Sequence, residues 1–216
     1  MEKRRKSYAT LSLLFAAAFA MWTAAVKCVD VQAIGPNGSS VGLAAINAAI
    51  RELTGVHMAL YTVTDWLGLI PVGTGLCFAL LGAAQLVKRK SLLKVDWSIL
   101  ALGVFYIAAL AAYLIFEEVV VNYRPVLIDG KLEASYPSST TVLTLCVMPT
   151  AMLQLSGRVR DRAVRRAALT LIAVFTVLMV VGRLVSGVHW LSDIIGGILL
   201  SGGLVSLYAF AYYSFE

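Results

Sequence analysis

The sequence predicts an all-α integral membrane protein, a single domain over residues 1–216 built as a bundle of six transmembrane helices. Three observations predict it. The chain is 60% hydrophobic and 14% charged, with mean hydropathy +0.84, whereas soluble domains carry roughly a quarter charged residues. Six stretches lack Asp, Glu, Lys, Arg and His, and each approaches or reaches the length that crosses a hydrocarbon core. Finally, the basic residues between those stretches fall in alternate connections.

The first stretch, Ser7–Val26, follows "KRRK". Its length, and the lack of a small-residue cleavage site, mark it as a helix over 7–28 rather than a signal peptide. The following loop predicts an amphipathic helix over 41–54, with Ser40 as N-cap, Leu43, Ile46, Ile50 and Leu53 on one face and Gly55 as the stop. Trp66–Val87 predicts a span over 62–87, with Asp65 as an end cap, and Trp97–Phe116 a span over 97–116. Ala134–Gly157 predicts 137–157, Pro137 suiting a first helical turn. Ala167–Gly182 is the shortest run and extends to 165–183; Ile194–Phe215 gives 190–214. In that last span Gly196-Gly197 and Gly202-Gly203 permit close helix packing. Cys28, Cys77 and Cys146 are odd in number and carry no metal-ligand spacing, so they read as packed, reduced residues.

Thirteen of the 18 basic residues fall before the first span, between the second and third, or between the fourth and fifth. The positive-inside rule places those connections, and both termini, in the cytoplasm. Loops 27–65, 117–133 and 183–193 then face out. The charge of +6 is thus a topology signal, with the lipid bilayer as partner and no nucleic acid. The compact loops suit a bacterial plasma membrane.

Between the last two apolar runs lies "GRLVSGVHWLSD" (182–193). Ionisable groups at membrane depth are costly and usually serve a function. His189 and Asp193 are four residues apart, so a helix would bring them into contact, fixing the tautomer and leaving one ring nitrogen free as nucleophile or base. Arg183 is too far round to share that face. Gly187 suggests that Arg183 closes the fifth span and His189 opens the sixth, whose first amides would face the arginine. Loop 117–133 and the residues after it add Arg124-Pro125 and Pro137-Ser138-Ser139-Thr140. Two arginines, hydroxyls and a helix start beside a His–Asp pair describe a phosphate site with a nucleophilic imidazole. Plainer readings stand beside this one: helix capping for Ser138, Ser139 and Thr140, and an interfacial arginine for Arg124.

Arg183-x5-His189-x3-Asp193 resembles the third signature of the phosphatidic acid phosphatase type 2 superfamily, the membrane lipid phosphate phosphatases. Arg124-Pro125 resembles the end of the first signature, and Pro137-Ser138 the start of the second. The resemblance implies His189 as the nucleophile that forms a phosphohistidine, with Asp193 orienting it. It further implies that Arg124, Arg183 and Ser138 with the neighbouring amides bind the phosphate at the extracytoplasmic face. Ser139 and Thr140 add hydroxyl donors on their own chemistry, and with the arginines and amides supplying positive charge no metal or cofactor is expected. Three positions depart from the pattern. Glu117 stands where the family has lysine, Ser139-Thr140 replaces Gly-His, and Gly182 replaces the serine before Arg183. The replaced histidine is the usual proton donor to the leaving group, and a threonine hydroxyl does not ionise usefully near neutral pH. A diphosphate substrate needs less help, since its leaving phosphate is a weak base. The expectation is therefore a metal-independent phosphatase acting on a membrane lipid phosphate or diphosphate, polyprenyl diphosphate favoured. His57, Glu117 and Glu118 are the substitute acids to consider. A phosphotransferase on the same scaffold, or a lipid-phosphate binding or transport protein, are the alternatives.

Overall fold

A computed structural model describes residues 2–214. Phe215, the last residue of the sixth apolar run, lies outside them. Eight α-helices are described: α1 (Glu2–Cys28), α2 (Ala44–Thr54), α3 (Met58–Leu67), α4 (Leu69–Arg89), α5 (Trp97–Glu118), α6 (Ser139–Arg158), α7 (Arg162–Val185) and α8 (Leu191–Tyr212). Among the described residues, six segments are long and apolar enough to span a membrane, with α3 and α4 acting as one 32-residue segment. β pairing among the described residues is confined to the isolated bridges Gln32–Val41, Tyr123–Ala134 and Ile128–Lys131.

Burial is inverted relative to a soluble protein. Val104, Ile107, Leu110 and Leu171 are exposed on the bundle's outside, while Ser138, Thr144, Thr150, Arg183 and Asp193 lie in its interior. Lipid solvates the apolar faces, so polar side chains must find their partners inside. Helices α6 and α8 form the centre. Helix α8 packs on α1, α5 and α6, and α6 on α4 and α7. Close approach is possible because glycines of α8 leave room. A Cβ on Gly196 would meet the Tyr136 ring at 2.5 Å, and one on Gly202 would meet Phe15 of α1 at 2.8 Å.

At one end of the bundle, three connections converge on the start of α8. The first holds α2, whose start differs from the sequence expectation. Its N-cap is Leu43, not Ser40, in a left-handed conformation at φ 52°. The cap is supplied from a distance: Asp30 accepts from the Ala45 N–H at 2.7 Å through its carboxylate, and from the Ala44 N–H at 2.9 Å through its carbonyl. The Ala45 bond holds the Asp30 carboxyl below its ordinary pKa. Helix α2 is latched to α8 by Asn47, which donates to Gly42 O (2.8 Å) and Ser192 Oγ (3.0 Å) and accepts from Ser192 N (3.1 Å). Asn47 is buried. Replacing it with alanine strands Gly42 O and Ser192 N, while Ser192 Oγ keeps Asn122 and Asp193, so Asn47→Ala should cost about 2–4 kcal/mol, read as a lowered thermal midpoint in detergent.

The second connection, between α5 and α6, folds back on itself around Asp129 and Gly130. Arg124 N donates to Glu133 O at 3.0 Å and Ser135 N to Asn122 O at 2.9 Å. Arg124 and Ser135 thereby stand on opposed strands of one narrow loop. The third connection is the α7–α8 turn. Gly187 there has φ 69°, and a Cβ would lie 2.0 Å from Gly55 O, so glycine is required on both counts. The His57 N–H donates to Ser186 O at 2.9 Å and ties the α2–α3 junction to this turn.

Candidate active site

His189 lies in the α7–α8 turn and not on α8, which begins at Leu191. Asp193 is in the first turn of α8, and its carboxylate accepts from the Trp190 N–H at 2.9 Å. The two side chains do not hydrogen-bond directly as a single helix face would require: His189 Nδ1 and Asp193 Oδ2 are 3.8 Å apart. Ser135 Oγ stands between them, 3.0 Å from Nδ1 and donating to Asp193 Oδ2 at 2.5 Å. On the other side of the ring, Nε2 faces Arg124 Nη1 at 3.1 Å and Arg183 Nη2 at 3.3 Å.

This network fixes the tautomer from both ends. A guanidinium can only donate, so Nε2 must be the acceptor. Ser135 gives its proton to Asp193, so its oxygen accepts from Nδ1–H. His189 is therefore neutral, with its lone pair on Nε2 aimed at two arginines. Burial pushes the His189 pKa down to about 4, reinforced by the two guanidiniums and opposed by the Asp193 carboxylate.

The arginines are themselves held. Arg183, 1% exposed, lies over the Tyr61 ring at 4.8 Å and donates to Thr64 Oγ1 at 3.4 Å. Its ion pair with Asp65 (3.7 Å) shows that Asp65 is not the end cap its position suggested: it lies within α3 and faces α7. Arg124 pairs with Glu133 at 3.1 Å and lies 6.0 Å from the same Tyr61 ring. Tyr61 thus supports both cations.

The remaining sequence candidates divide. Ser138 is fully buried. Its N–H donates to Asp193 O (3.1 Å) and its hydroxyl accepts from Thr141 (3.0 Å), bonds that fasten the start of α6 to α8. Ser139 lines a cleft with His189, Ser135, Tyr113 and Glu117. Thr140 instead lines an adjoining apolar groove of about 610 Å³, bounded by Val72, Leu76, Tyr106 and Leu143, that shares Tyr113, Ser139 and Val142 with the cleft. Of the three substitute acids, only Glu117 lines the cleft that holds His189. His57 is exposed and its ring bonds to Thr54 O at 2.9 Å; Glu118 is exposed at the end of α5.

The sequence profile of the PAP2 superfamily matches residues 104–215, which include Arg124, Ser135, Arg183, His189 and Asp193 but not Tyr61, Thr64 and Asp65 of α3. The chain belongs to the PAP2 superfamily. Its fold is similar to the crystal structure described as the first transmembrane PAP2 type phosphatidylglycerolphosphate phosphatase from Bacillus subtilis. The TM-score is 0.62 at 18% identity, covering 95% of this chain and 98% of that one. No curated protein matches the chain in sequence. This PAP2 chain is an integral membrane protein, and among its described residues Ser135, Tyr61 and Asn122 are the parts of the site that sequence reasoning missed. Ser135 lies three residues before Ser138 in "EASYPSS", yet nothing in that spacing points it at an imidazole 54 positions away.

The buried neutral imidazole has a measurable consequence. Between the ordinary value of 6.5 and about 4, the unfolded chain carries the His189 proton and the folded chain does not. Stability should therefore fall as pH drops through that window, by at most about 1.4 kcal/mol per pH unit, with no contribution above it. Thermal midpoints of wild type and His189→Ala, measured across the window, should diverge with the wild type showing the steeper loss.

Proposed function

We propose that this protein hydrolyses the phosphate or diphosphate group of a membrane lipid through a phosphohistidine on His189, without a metal. The carrying observation is the Nε2 lone pair, which faces two buried guanidiniums within 3.3 Å. PAP2 membership, and the likeness to a protein described as a phosphatidylglycerolphosphate phosphatase, support lipid phosphate chemistry. The apolar groove beside the cleft supports a lipid as substrate.

A phosphoryl group entering between Nε2 and the arginines exchanges their contact with the imidazole for contacts with its oxygens. Two fixed positive charges then meet the charge that spreads over the equatorial oxygens in the transition state. As the Nε2–P bond forms, the bond to the leaving oxygen breaks and that oxygen takes the electron pair. Water next attacks phosphorus, the P–N pair returns to Nε2, a water proton goes to solvent and inorganic phosphate leaves. Positive charge for this sequence comes from Arg124 and Arg183, which supports metal independence.

Thr140 offers no ionisable proton where the family has histidine. A leaving phosphate needs none, which favours polyprenyl diphosphate over phosphatidate. For an alkoxide leaving group, Glu117 is the donor that shares the cleft with His189. The basic connections support an orientation with both termini cytoplasmic and the site facing outward from a bacterial plasma membrane. A reporter fused after residue 130 should read outside; a cytoplasmic reading overturns that orientation.

The deciding experiment is phosphate release by the purified protein in detergent with a chelator present. Polyprenyl diphosphate, polyprenyl monophosphate and phosphatidate are compared, with His189→Ala as blank. Release mainly from the diphosphate is expected. Equal release from all three, reduced for phosphatidate by Glu117→Gln, assigns Glu117 as acid and removes the diphosphate preference. No release above blank overturns hydrolysis, and acceptor-dependent turnover in its place indicates transfer.

A further inference from the structure

The proposed nucleophile and its carboxylate are separated by a hydroxyl, and this is where the chain adds a residue beyond those its signatures name. The reading rests on His189 as nucleophile. We infer that Ser135 is a positioning residue that connects Asp193 to His189, holding Nδ1 protonated and Nε2 free through a three-member relay. The proton on Nδ1 points to Ser135 Oγ at 3.0 Å, and the Ser135 proton to Asp193 Oδ2 at 2.5 Å.

The geometry leaves Ser135 little freedom to do anything else. It is 2% exposed, and its backbone N–H is fixed to Asn122 O at 2.9 Å. Asn122 is in turn 3.3 Å from Ser192 Oγ and 3.4 Å from Asp193 Oδ1. Asp193 has one oxygen on Ser135 and Trp190 N, the other near Asn122 and Ser192. Its carboxylate is therefore held to the loop and to the start of α8, and reaches the imidazole through the serine. The same narrow loop supplies Arg124 to Nε2. One loop thus grips both ring nitrogens, so docking it on α8 sets the orientation of the ring and the position of a phosphate clamp together. When Nε2 takes a phosphoryl group, Nδ1 keeps its proton and the ring gains positive charge. The relay then stabilises that charge through a dipole, with the carboxylate 3.8 Å away, so no proton needs to leave Nδ1.

The test is the tautomer itself, read in unliganded protein. The full chain, labelled with 15N-histidine and held in detergent, contains two histidines, and the spectrum of His57→Gln assigns the His189 signals. Wild type should show protonated Nδ1 and unprotonated Nε2. Ser135→Thr and Ser135→Val differ by little more than the hydroxyl. The threonine variant should keep the wild-type tautomer and most of kcat. Ser135→Val should keep Nε2 unprotonated, because Arg124 and Arg183 still donate to it. It removes the acceptor of the Nδ1 proton, so that proton's signal should move upfield and broaden while kcat falls about 10–100-fold with KM little changed. A wild-type signal with protonated Nε2 overturns the relay even if every variant fails to fold. So does a Ser135→Val variant that matches Ser135→Thr in both the Nδ1 proton signal and kcat. The spectrum requires no turnover, so full phosphate release by His189→Ala would remove the nucleophile assignment while leaving the relay to be judged on the tautomer alone.

Discussion

His189→Ala is expected to reduce phosphate release by about 10,000-fold or more, because it removes the atom proposed to form the covalent intermediate. The variant should remain folded. Without the ring, Arg183 retains Asp65, Thr64 and the Tyr61 face, and Arg124 retains Glu133. Neither guanidinium is left as an uncompensated buried charge, which is the usual cause of collapse when one member of such a cluster is lost. The control is His57→Ala. His57 is exposed and bonded to the end of α2, so its loss should change release by only a few-fold. Activity measured beside a thermal melt checks both. Near-normal release by His189→Ala in a folded protein would refute the phosphohistidine route.

Arg183→Gln should lower kcat/KM by about 100- to 1,000-fold, and Arg183→Lys should recover only part of that loss. The guanidinium spans several partners at once. Nη2 faces His189, Nη1 faces Thr64 and Asp65, and the plane lies on Tyr61. An ammonium is a single compact charge and cannot hold those contacts together with a phosphoryl oxygen. The measurement is steady-state turnover of the preferred lipid, with inorganic phosphate inhibition reporting anion binding separately. Asp65→Asn should change turnover by only a few-fold, because Asp65 is at the exposed rim and pairs at 3.7 Å. A lysine variant equal to wild type would show that only charge is needed, and that the stacked, multi-contact geometry of Arg183 is not.

The all-α class and the apolar helices were legible because crossing lipid imposes a local rule. A segment either carries a long uncharged run or does not, and the described residues meet the rule six times. The order Arg124, Arg183, His189, Asp193 was legible for a related reason: costly groups at the ends of apolar runs are conspicuous. Local pattern failed wherever a partner came from elsewhere in the chain. Ser40 has the chemistry of an N-cap, yet α2 is capped by Asp30 because the loop folds back on itself. Asp65 has the position of an end cap, yet it faces Arg183, since α3 packs on α7. The four-residue spacing of His189 and Asp193 suggested direct contact on one helix face. The turn at Gly187 keeps His189 off α8, and the gap admits Ser135.

By itself, then, the sequence determined that this is a six-span helical membrane protein of the PAP2 type, with costly polar groups gathered between its apolar runs. Tertiary structure alone decided which of those groups touch. Docking of the 119–138 loop and of α3 onto the α7–α8 turn puts Ser135, Tyr61 and Asn122 around His189, and turns Ser138 into a fastening for α8. The physical reason is one of range. Helix formation in lipid is dictated by neighbours along the chain, whereas satisfying buried polar atoms draws on any residue the packing brings within about 3 Å.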